Sequence, residues 1–307
     1  MGRPPDLREA AELPDEIKHA ALDGNLVLFV GAGVSMLAGL PSWDGLAWKV
    51  LEDLRNKGLL NYSKMQQLKG LDPKKLLSIA EQIANENYIS FELPKHLAAK
   101  EGGREIYSYL NKIGCACVTT NYDELLKPQF NQTKDGSTTA ATVTRVNQKN
   151  GFHAGHLNTP GTVVHLHGSV SNPADMVFTT KQYLKHYDDK TVQNFLEELF
   201  AKKIILFIGY SLEESEILEH ILRRGKVQDT KNKRRFALMP FFFSQTPLYE
   251  MLYKYYKNSF GVHLIGFMRD HKNYKQLEDI VKAWSEQIEV KSPALVKDLE
   301  FMDEVLG

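Results

Sequence analysis

Cysteine is scarce in this sequence, with two residues, Cys115 and Cys117, in a chain of 307. So low a count excludes a disulfide framework and is typical of a reducing, cytoplasmic compartment. The two cysteines lie two positions apart in an apolar run, so on a strand they would share one face. We expect them to be buried thiols.

An excess of either charge is also lacking. Lysine and arginine number 38, aspartate and glutamate number 38, and the formal net charge is +0. A dedicated binder of nucleic acid or of an anionic membrane carries a basic excess, so we expect neither partner. No apolar run is long enough to cross a bilayer, and residues 1–16 contain no signal-peptide core. These absences favour a cytoplasmic protein.

Hydrophobic residues make up 43% of the chain, which is enough for a sizeable core. Short apolar runs alternate with segments whose apolar residues recur at helical spacing. This alternation predicts an α/β fold, a Rossmann-like parallel sheet with helices on both faces. The predicted strands are 25–30, 115–120, 141–146, 162–168, 203–211, 234–241 and 261–267. The predicted helices of the sheet layers are 15–23, 191–202, 214–225, 247–257 and 273–288.

A long helical block separates the first two predicted strands. Apolar residues recur at helical spacing from Trp43 to about Lys112. Because this is more than one crossover helix, we predict a helical insertion after the first strand, at about 43–112. We predict a single domain over 1–290 and a C-terminal tail at 291–307.

The first predicted strand ends in two glycines, within the stretch NLVLFVGAGVSMLAGLPSW at 25–43. Gly31 and Gly33 begin a dinucleotide-binding fingerprint, but Met36 occupies the place of its third glycine. This departure disfavours an ordinary Rossmann oxidoreductase, and no Gly-Lys-Ser/Thr follows as in a P-loop. A plain tight turn and a phosphate-binding loop both stay open on this stretch alone.

Three further strands end in small or polar residues. In a parallel sheet, ligands bind at the carboxyl ends of the strands, so we expect these endings to converge on one pocket. Turn chemistry explains one such ending easily, but four in one chain are harder to explain that way. The four endings are Gly31-Ala32-Gly33-Val34-Ser35, Thr119-Thr120-Asn121-Tyr122-Asp123, His165-Leu166-His167-Gly168 and Gly209-Tyr210-Ser211.

Structural roles for the same residues stay open. Asn121 and Asp123 would also suit a turn or the N-cap of a helix beginning near Glu124. His167 would also suit a hydrogen-bonded structural position, and Ser211 would suit the cap of a helix at 212–214. His165 and His167 could share a strand face as a metal pair, but no cysteine or carboxylate stands at ligand spacing.

In this order, the motifs GAGVS, TTNYD, LHGS and GYS resemble those of the sirtuin (SIR2-like) family. The resemblance covers roughly residues 24–270. It is greatest with the SIR2-like proteins of bacterial antiviral defence systems, in which the domain consumes NAD. It implies an NAD-binding Rossmann-like sheet.

The resemblance also implies a role for each motif residue. Asn121 and His167 would be catalytic: Asn121 would hold the ribose or orient a water, and His167 would contact the ribose hydroxyls and act as general base. The implied cofactor-binding residues are Gly31, Ala32, Gly33 and Ser35 for the pyrophosphate and nearby ribose, Asp123 for the nicotinamide carboxamide, and Gly209 and Ser211 for the adenosine side.

Three departures from the family bear on the reaction. The zinc module of protein-deacylating members needs four cysteines, so we expect no metal. Gly39-Leu40-Pro41-Ser42-Trp43 lacks the Phe-Arg of the deacylase loop, and Thr120 replaces a glutamine. With the acyl-lysine side unrecognisable, water is the remaining nucleophile. We therefore expect an NAD hydrolase that releases nicotinamide and ADP-ribose in antiphage defence.

Two other functions stay open: an NAD-dependent protein deacylase or ADP-ribosyltransferase, and a non-catalytic nucleotide-sensing subunit. An unregulated NAD hydrolase would be toxic, and the chain contains no recognisable sensor domain. The helical block at 43–112 is also larger than one sheet face needs. We therefore expect control by homo-oligomerisation, by a separate activating subunit, or by both.

Overall fold

The computed structural model of the chain describes residues 6–98, 105–129, 131–134, 137–140, 143–224 and 234–291. The strands are β1 (Leu26–Val30), β2 (Ala116–Thr119), β3 (Asn131–Lys134), β4 (Ser137–Ala140), β5 (Thr144–Val146), β6 (Thr162–His165), β7 (Ile204–Ile208), β8 (Arg235–Phe241) and β9 (Val262–Met268). The helices are α1 (Asp15–Leu22), α2 (Ala32–Leu37), α3 (Trp43–Asn56), α4 (Tyr62–Gln67), α5 (Pro73–Glu86), α6 (Glu105–Ile113), α7 (Thr180–Tyr187), α8 (Lys190–Lys202), α9 (Ser215–Arg224), α10 (Thr246–Phe260) and α11 (Lys275–Ser285).

Seven strands form one sheet in the order β5-β6-β2-β1-β7-β8-β9, and every neighbouring pair is parallel. The predicted parallel sheet is confirmed. β6, β2, β1 and β7 are consecutive neighbours, so the four polar strand endings meet at one edge of the sheet. β3 and β4 form a separate antiparallel hairpin.

Side-chain alternation along β1 divides the core into two layers. Val27 and Phe29 pack with apolar residues of α7, α8, α9 and α10 on one face of the sheet. Leu26, Leu28 and Val30 pack with α1, α2, α6 and α11 on the other. Because both faces are covered, the central strands are apolar throughout, as the sequence led us to expect.

The insertion after β1 has a hydrophobic cluster of its own. Residues of α3, α4 and α5 pack together, with Leu51, Leu76 and Leu77 fully buried. Tyr122 and Phe178, which come from loops at the strand ends, join this cluster. The predicted helical insertion is therefore confirmed in the described residues, and it covers the edge of the sheet where the motifs lie.

Several predicted details are wrong. The GAGVS motif leads directly from β1 into helix α2, which the predicted helices do not include. They do not include α7 either. Residues 120–129 are irregular and no helix begins near Glu124, so the cap role is wrong, whereas the turn role fits Asp123, whose Oδ1 accepts from the N–H of Leu125. α9 begins at Ser215, so Ser211 caps no helix at 212–214.

The predicted tail and part of the predicted insertion fall outside the described residues. The predicted tail at 291–307 lies outside the described residues beyond residue 291, and so do residues 99–104 of the insertion. Over the ranges given above, no helix is both long and apolar enough to cross a membrane.

Candidate active site

A cavity of about 800 Å³ opens at the carboxyl ends of β6, β2, β1 and β7. Insertion residues Trp43 and Lys74 form part of its wall. Eight of the nine predicted site residues line it, namely Ala32, Gly33, Ser35, Asn121, Asp123, His167, Gly209 and Ser211. Its size suits a small-molecule ligand. A larger groove across α5, α7 and α9 contains none of the nine.

The ninth residue, Gly31, explains why the strand endings need glycine. A Cβ atom on Gly31 would lie 2.6 Å from the carbonyl oxygen of Gly209 and 2.7 Å from Cα of Tyr210. Gly209 has a φ of +62°, and its own Cβ would lie 2.6 Å from the nitrogen of Val34. The GAG and GYS turns therefore touch backbone to backbone. The Gly33 N–H donates to the Gly209 carbonyl at 2.8 Å, so this amide serves the contact between the turns.

Asn121 is buried where β2 ends beside β1. Its side-chain Nδ2 donates to the carbonyl oxygen of Gly31 at 3.0 Å. Its backbone N–H donates to Oγ1 of Thr119, and that hydroxyl donates to the carbonyl of Val30. Its carbonyl oxygen lies 3.0 Å from Nδ1 of His165. The bond to Gly31 orients the side-chain amide at the cavity wall, and the other bonds fix the backbone of Asn121.

Ser35 and Asp123 are bonded to each other. Ser35 Oγ donates to Oδ2 of Asp123 at 2.6 Å, and the Tyr107 hydroxyl donates to the same oxygen at 3.2 Å. The Leu125 N–H donates to Oδ1 at 3.2 Å. Burial, followed by the charge of Asp123, raises the pKa of Tyr107 well above its usual range. This cluster joins α2, α6 and the loop after β2, so Ser35 contributes to the scaffold as well as to the cavity wall.

His167 is enclosed by tyrosines of α7. Its Nε2 lies 2.8 Å from the Tyr187 hydroxyl, and its Nδ1 lies 3.3 Å from the Tyr183 hydroxyl. The side chain is 1% exposed, and this burial, together with the cationic forms of His186 and Lys74, lowers the pKa of His167 well below its usual range. The imidazole is therefore neutral at pH 7. With this lowered pKa, His167 is a weaker base than the general base that the resemblance implies.

Comparison with known families agrees with this geometry, since residues 116–265 match the model of the SIR2-like domain. This part of the chain is similar to a SIR2-like domain. The match begins at β2 and ends in β9, so it includes Asn121, His167 and Gly209. The GAG turn precedes the matched range and reaches the SIR2-like site through its contact with Gly209.

Curated relatives cover most of the chain at modest identity. NAD(+) hydrolase ThsA of Enterococcus faecium is 25% identical over 90% of this chain and 54% of its own length. ThsA of Acinetobacter baumannii is 26% identical over 72% and 43%, and Defense-associated sirtuin 2 of Bacillus subtilis is 26% identical over 95% and 28%. The chain thus spans about half the length, or less, of these relatives.

The cavity also contains residues to which the resemblance gave no role. The Tyr210 hydroxyl donates to Oε2 of Glu214 at 2.7 Å, and both residues line the cavity. Burial raises the pKa of Glu214 to about 7. Lys74 Nζ lies 2.8 Å from Oε1 of Glu216 and 4.6 Å from the ring centre of Tyr183. The only sequence signal for Glu214 is its position three residues after the GYS motif.

The histidine pair of the LHG motif does not share a strand face, because β6 ends at His165. His165 bonds the backbone of Asn121, and its Nε2 lies 3.3 Å from Nη1 of Arg145, whereas His167 meets tyrosines. Gly168 follows with a φ of +78°. Across the residues described, no three histidine, cysteine, aspartate or glutamate side chains group as metal ligands would. Cys115 and Cys117 are buried free thiols, as predicted.

Proposed function

We propose that this chain hydrolyses NAD at the bond between nicotinamide and ribose, releasing nicotinamide and ADP-ribose. The observation that carries the proposal is the meeting of four motif-bearing strand ends around one cavity, with Asn121 and His167 both in its wall. The ThsA relatives, named NAD(+) hydrolases, support the same reaction.

The cavity residues suit the requirements of this cleavage. Loss of nicotinamide leaves positive charge on the ribose, so the reaction depends on holding the ribose and placing a water. Asn121, fixed by its bond to Gly31, orients the ribose or the water. His167, as a neutral imidazole, bonds the ribose hydroxyls by exchanging one of its bonds to Tyr183 and Tyr187 for a bond to the substrate.

The remaining predicted residues form the binding surface for the rest of NAD. Ala32, Gly33 and Ser35 lie beside the pyrophosphate and its neighbouring ribose, and Gly209 and Ser211 lie on the adenosine side. Asp123 faces the carboxamide. Its Oδ2 accepts from both Ser35 and Tyr107, whereas Oδ1 accepts from Leu125 alone and retains a lone pair for the carboxamide N–H.

Release of nicotinamide by the purified chain tests the reaction. The chain is incubated with NAD, with and without an acetylated peptide, and nicotinamide and ADP-ribose are quantified. Equal amounts of both products, independent of the peptide, support hydrolysis. Turnover that requires the peptide indicates a deacylase or a transferase. Tight NAD binding without product indicates a nucleotide sensor.

We further propose a cytoplasmic, regulated effector of antiphage defence that acts by depleting NAD. The relative named Defense-associated sirtuin 2 supports this setting. Control would come from homo-oligomerisation or from a separate activating subunit. Light scattering at micromolar concentration, with NAD turnover measured in the same samples, tests the oligomer. A strictly monomeric chain with full turnover and no partner contradicts this second proposal.

A further inference from the structure

Glu214 occupies an unusual position for a carboxylate. It lines the same cavity as His167, and it accepts a hydrogen bond from the phenol of Tyr210 at 2.7 Å. The nearby ammonium group, that of Lys74, forms its ion pair with Glu216. The Glu214 carboxylate therefore lies in the wall of the proposed active site with a neutral donor.

The backbone before Glu214 supports a functional role. Leu212 has a φ of +58° although it is not glycine, and its side chain is fully buried. A left-handed leucine is a strained conformation, and such strain collects at sites of function. The turn follows the left-handed Gly209, and together the two positions carry the chain from the end of β7 past the cavity to α9.

The groups around Glu214 determine its ionisation. They are Tyr210 at the end of β7, Glu216 on α9, Lys74 on α5, Tyr183 and Tyr187 on α7, and Tyr122 after β2. Burial is the largest influence and raises the pKa of Glu214 to about 7, and the negative charge of Glu216 adds to the rise. The Tyr210 hydrogen bond and the charge of Lys74 lower it. A base with a pKa near the working pH is well matched to proton transfer.

We propose that Glu214 accepts the proton of the attacking water during NAD cleavage, a role that rests on the function proposed above. The bond between C1′ of the ribose and the pyridinium nitrogen breaks, and its electron pair neutralises nicotinamide. The water oxygen bonds to C1′ and loses a proton to the Glu214 carboxylate, which later releases it to solvent. His167 then serves to hold the ribose, because its buried imidazole is a weaker base.

The test is the pH profile of kcat/KM for nicotinamide release in four proteins: the wild type, Glu214→Gln, Tyr210→Phe and Glu219→Gln. Glu219 is exposed on α9, the helix that follows Glu214, and it lines the other groove, so Glu219→Gln removes the same charge away from the proposed site. We expect the wild type and Glu219→Gln to lose activity below about pH 7. Glu214→Gln should lose about 10²–10⁴-fold in kcat with little change in KM, and its residual rate should lack the acid limb. Tyr210→Phe should move the limb to higher pH.

Each other result overturns the assignment. An acid limb that persists in Glu214→Gln, or that lies well below pH 7, assigns the proton to another group such as His167. An acid limb at the same pH in Tyr210→Phe as in the wild type also assigns the proton to another group. This variant keeps the test decisive if Glu214→Gln does not fold. Wild-type protein that binds NAD but releases no nicotinamide at any pH refutes the proposed function itself, which separates that failure from the failure of this assignment.

Discussion

The side-chain amide of Asn121 donates to the carbonyl oxygen of Gly31 across 3.0 Å, joining the end of β2 to the end of β1. The bond connects the catalytic residue proposed here to the glycine turn that defines the neighbouring wall. A side chain fixed in this way needs no reorganisation when a substrate arrives, which is the condition for efficient orientation.

Asn121→Ala should reduce nicotinamide release by at least about 10²-fold, because the ribose or the water loses its orienting group. The fold should persist, since a short side chain at a strand end can be removed without opening the core. Asn87→Ala is the matched control, because its amide also donates to a backbone carbonyl but lies exposed at the end of α5. Equal turnover in the two variants would remove Asn121 from the mechanism.

His167→Ala should lower kcat by about 10²–10⁴-fold, because the ribose loses a neutral hydrogen-bonding partner. Tyr187→Phe should have a smaller effect, since the imidazole stays and loses one bond. His153→Ala, an exposed histidine remote from the cavity, is the control. Steady-state kinetics at saturating NAD measures kcat for each variant. Near wild-type turnover in His167→Ala would contradict the proposed mechanism.

Ser35→Ala should mainly lower stability. The Ser35 hydroxyl donates to the buried Asp123 carboxylate at 2.6 Å, so its loss leaves a buried charge with fewer donors, at a cost of about 1–3 kcal/mol. Ser63→Ala, exposed on α4, should leave the free energy of unfolding unchanged. Denaturant unfolding measures both variants. A Ser35→Ala protein as stable as the wild type would show that this bond adds nothing to the fold.

His186 should make the protein sensitive to acid. Burial lowers the pKa of His186 to about 4 from 6.5, so the unfolded chain binds this proton first as the pH falls. The contribution of His186 to the free energy of unfolding is therefore unchanged above pH 6.5. It falls by about 3 kcal/mol as the pH is lowered towards 4. His186→Phe should keep the edge contact with Phe152 and flatten this part of the profile.

The same variant should also be more stable at pH 7. Nε2 of His186 is buried without a hydrogen-bond partner in the described part of the chain, and phenylalanine removes that desolvated atom. Thermal unfolding of the wild type and His186→Phe from pH 4 to pH 8 checks both expectations. If the stability of His186→Phe falls as steeply with decreasing pH as that of the wild type, other groups cause the acid sensitivity.

The central sheet could be predicted because its strands are apolar runs bounded by glycine or polar residues, and both faces are covered. α2 could not, because Gly31 and Gly33 favour a turn and a six-residue helix gains little from propensity. Its position depends on the buried Val34 and on contact with Gly209.

α7 does have a signal in the sequence, the capping box of Thr179 and Gln182. For the β3–β4 hairpin the signal is the Asp135-Gly136 dipeptide.

The motif residues of the site were identifiable because each one lies at the end of a predicted strand or just after it. The enclosure of His167 was not identifiable in the same way, since Tyr183 and Tyr187 come from α7, a helix that was not among those predicted. Glu214 requires two left-handed residues to bring it to the cavity, and a leucine at one of them gives no sign of that conformation.

The backbone contact between the two glycine turns has a consequence for genetics. A methyl group on Gly31 would strike the carbonyl oxygen of residue 209 and the Cα of residue 210, and every amino acid carries these atoms. No side-chain substitution at either position can make room for it. In a selection for restored function after Gly31→Ala, true reversion should therefore dominate, and second-site suppressors at 209 or 210 should not arise.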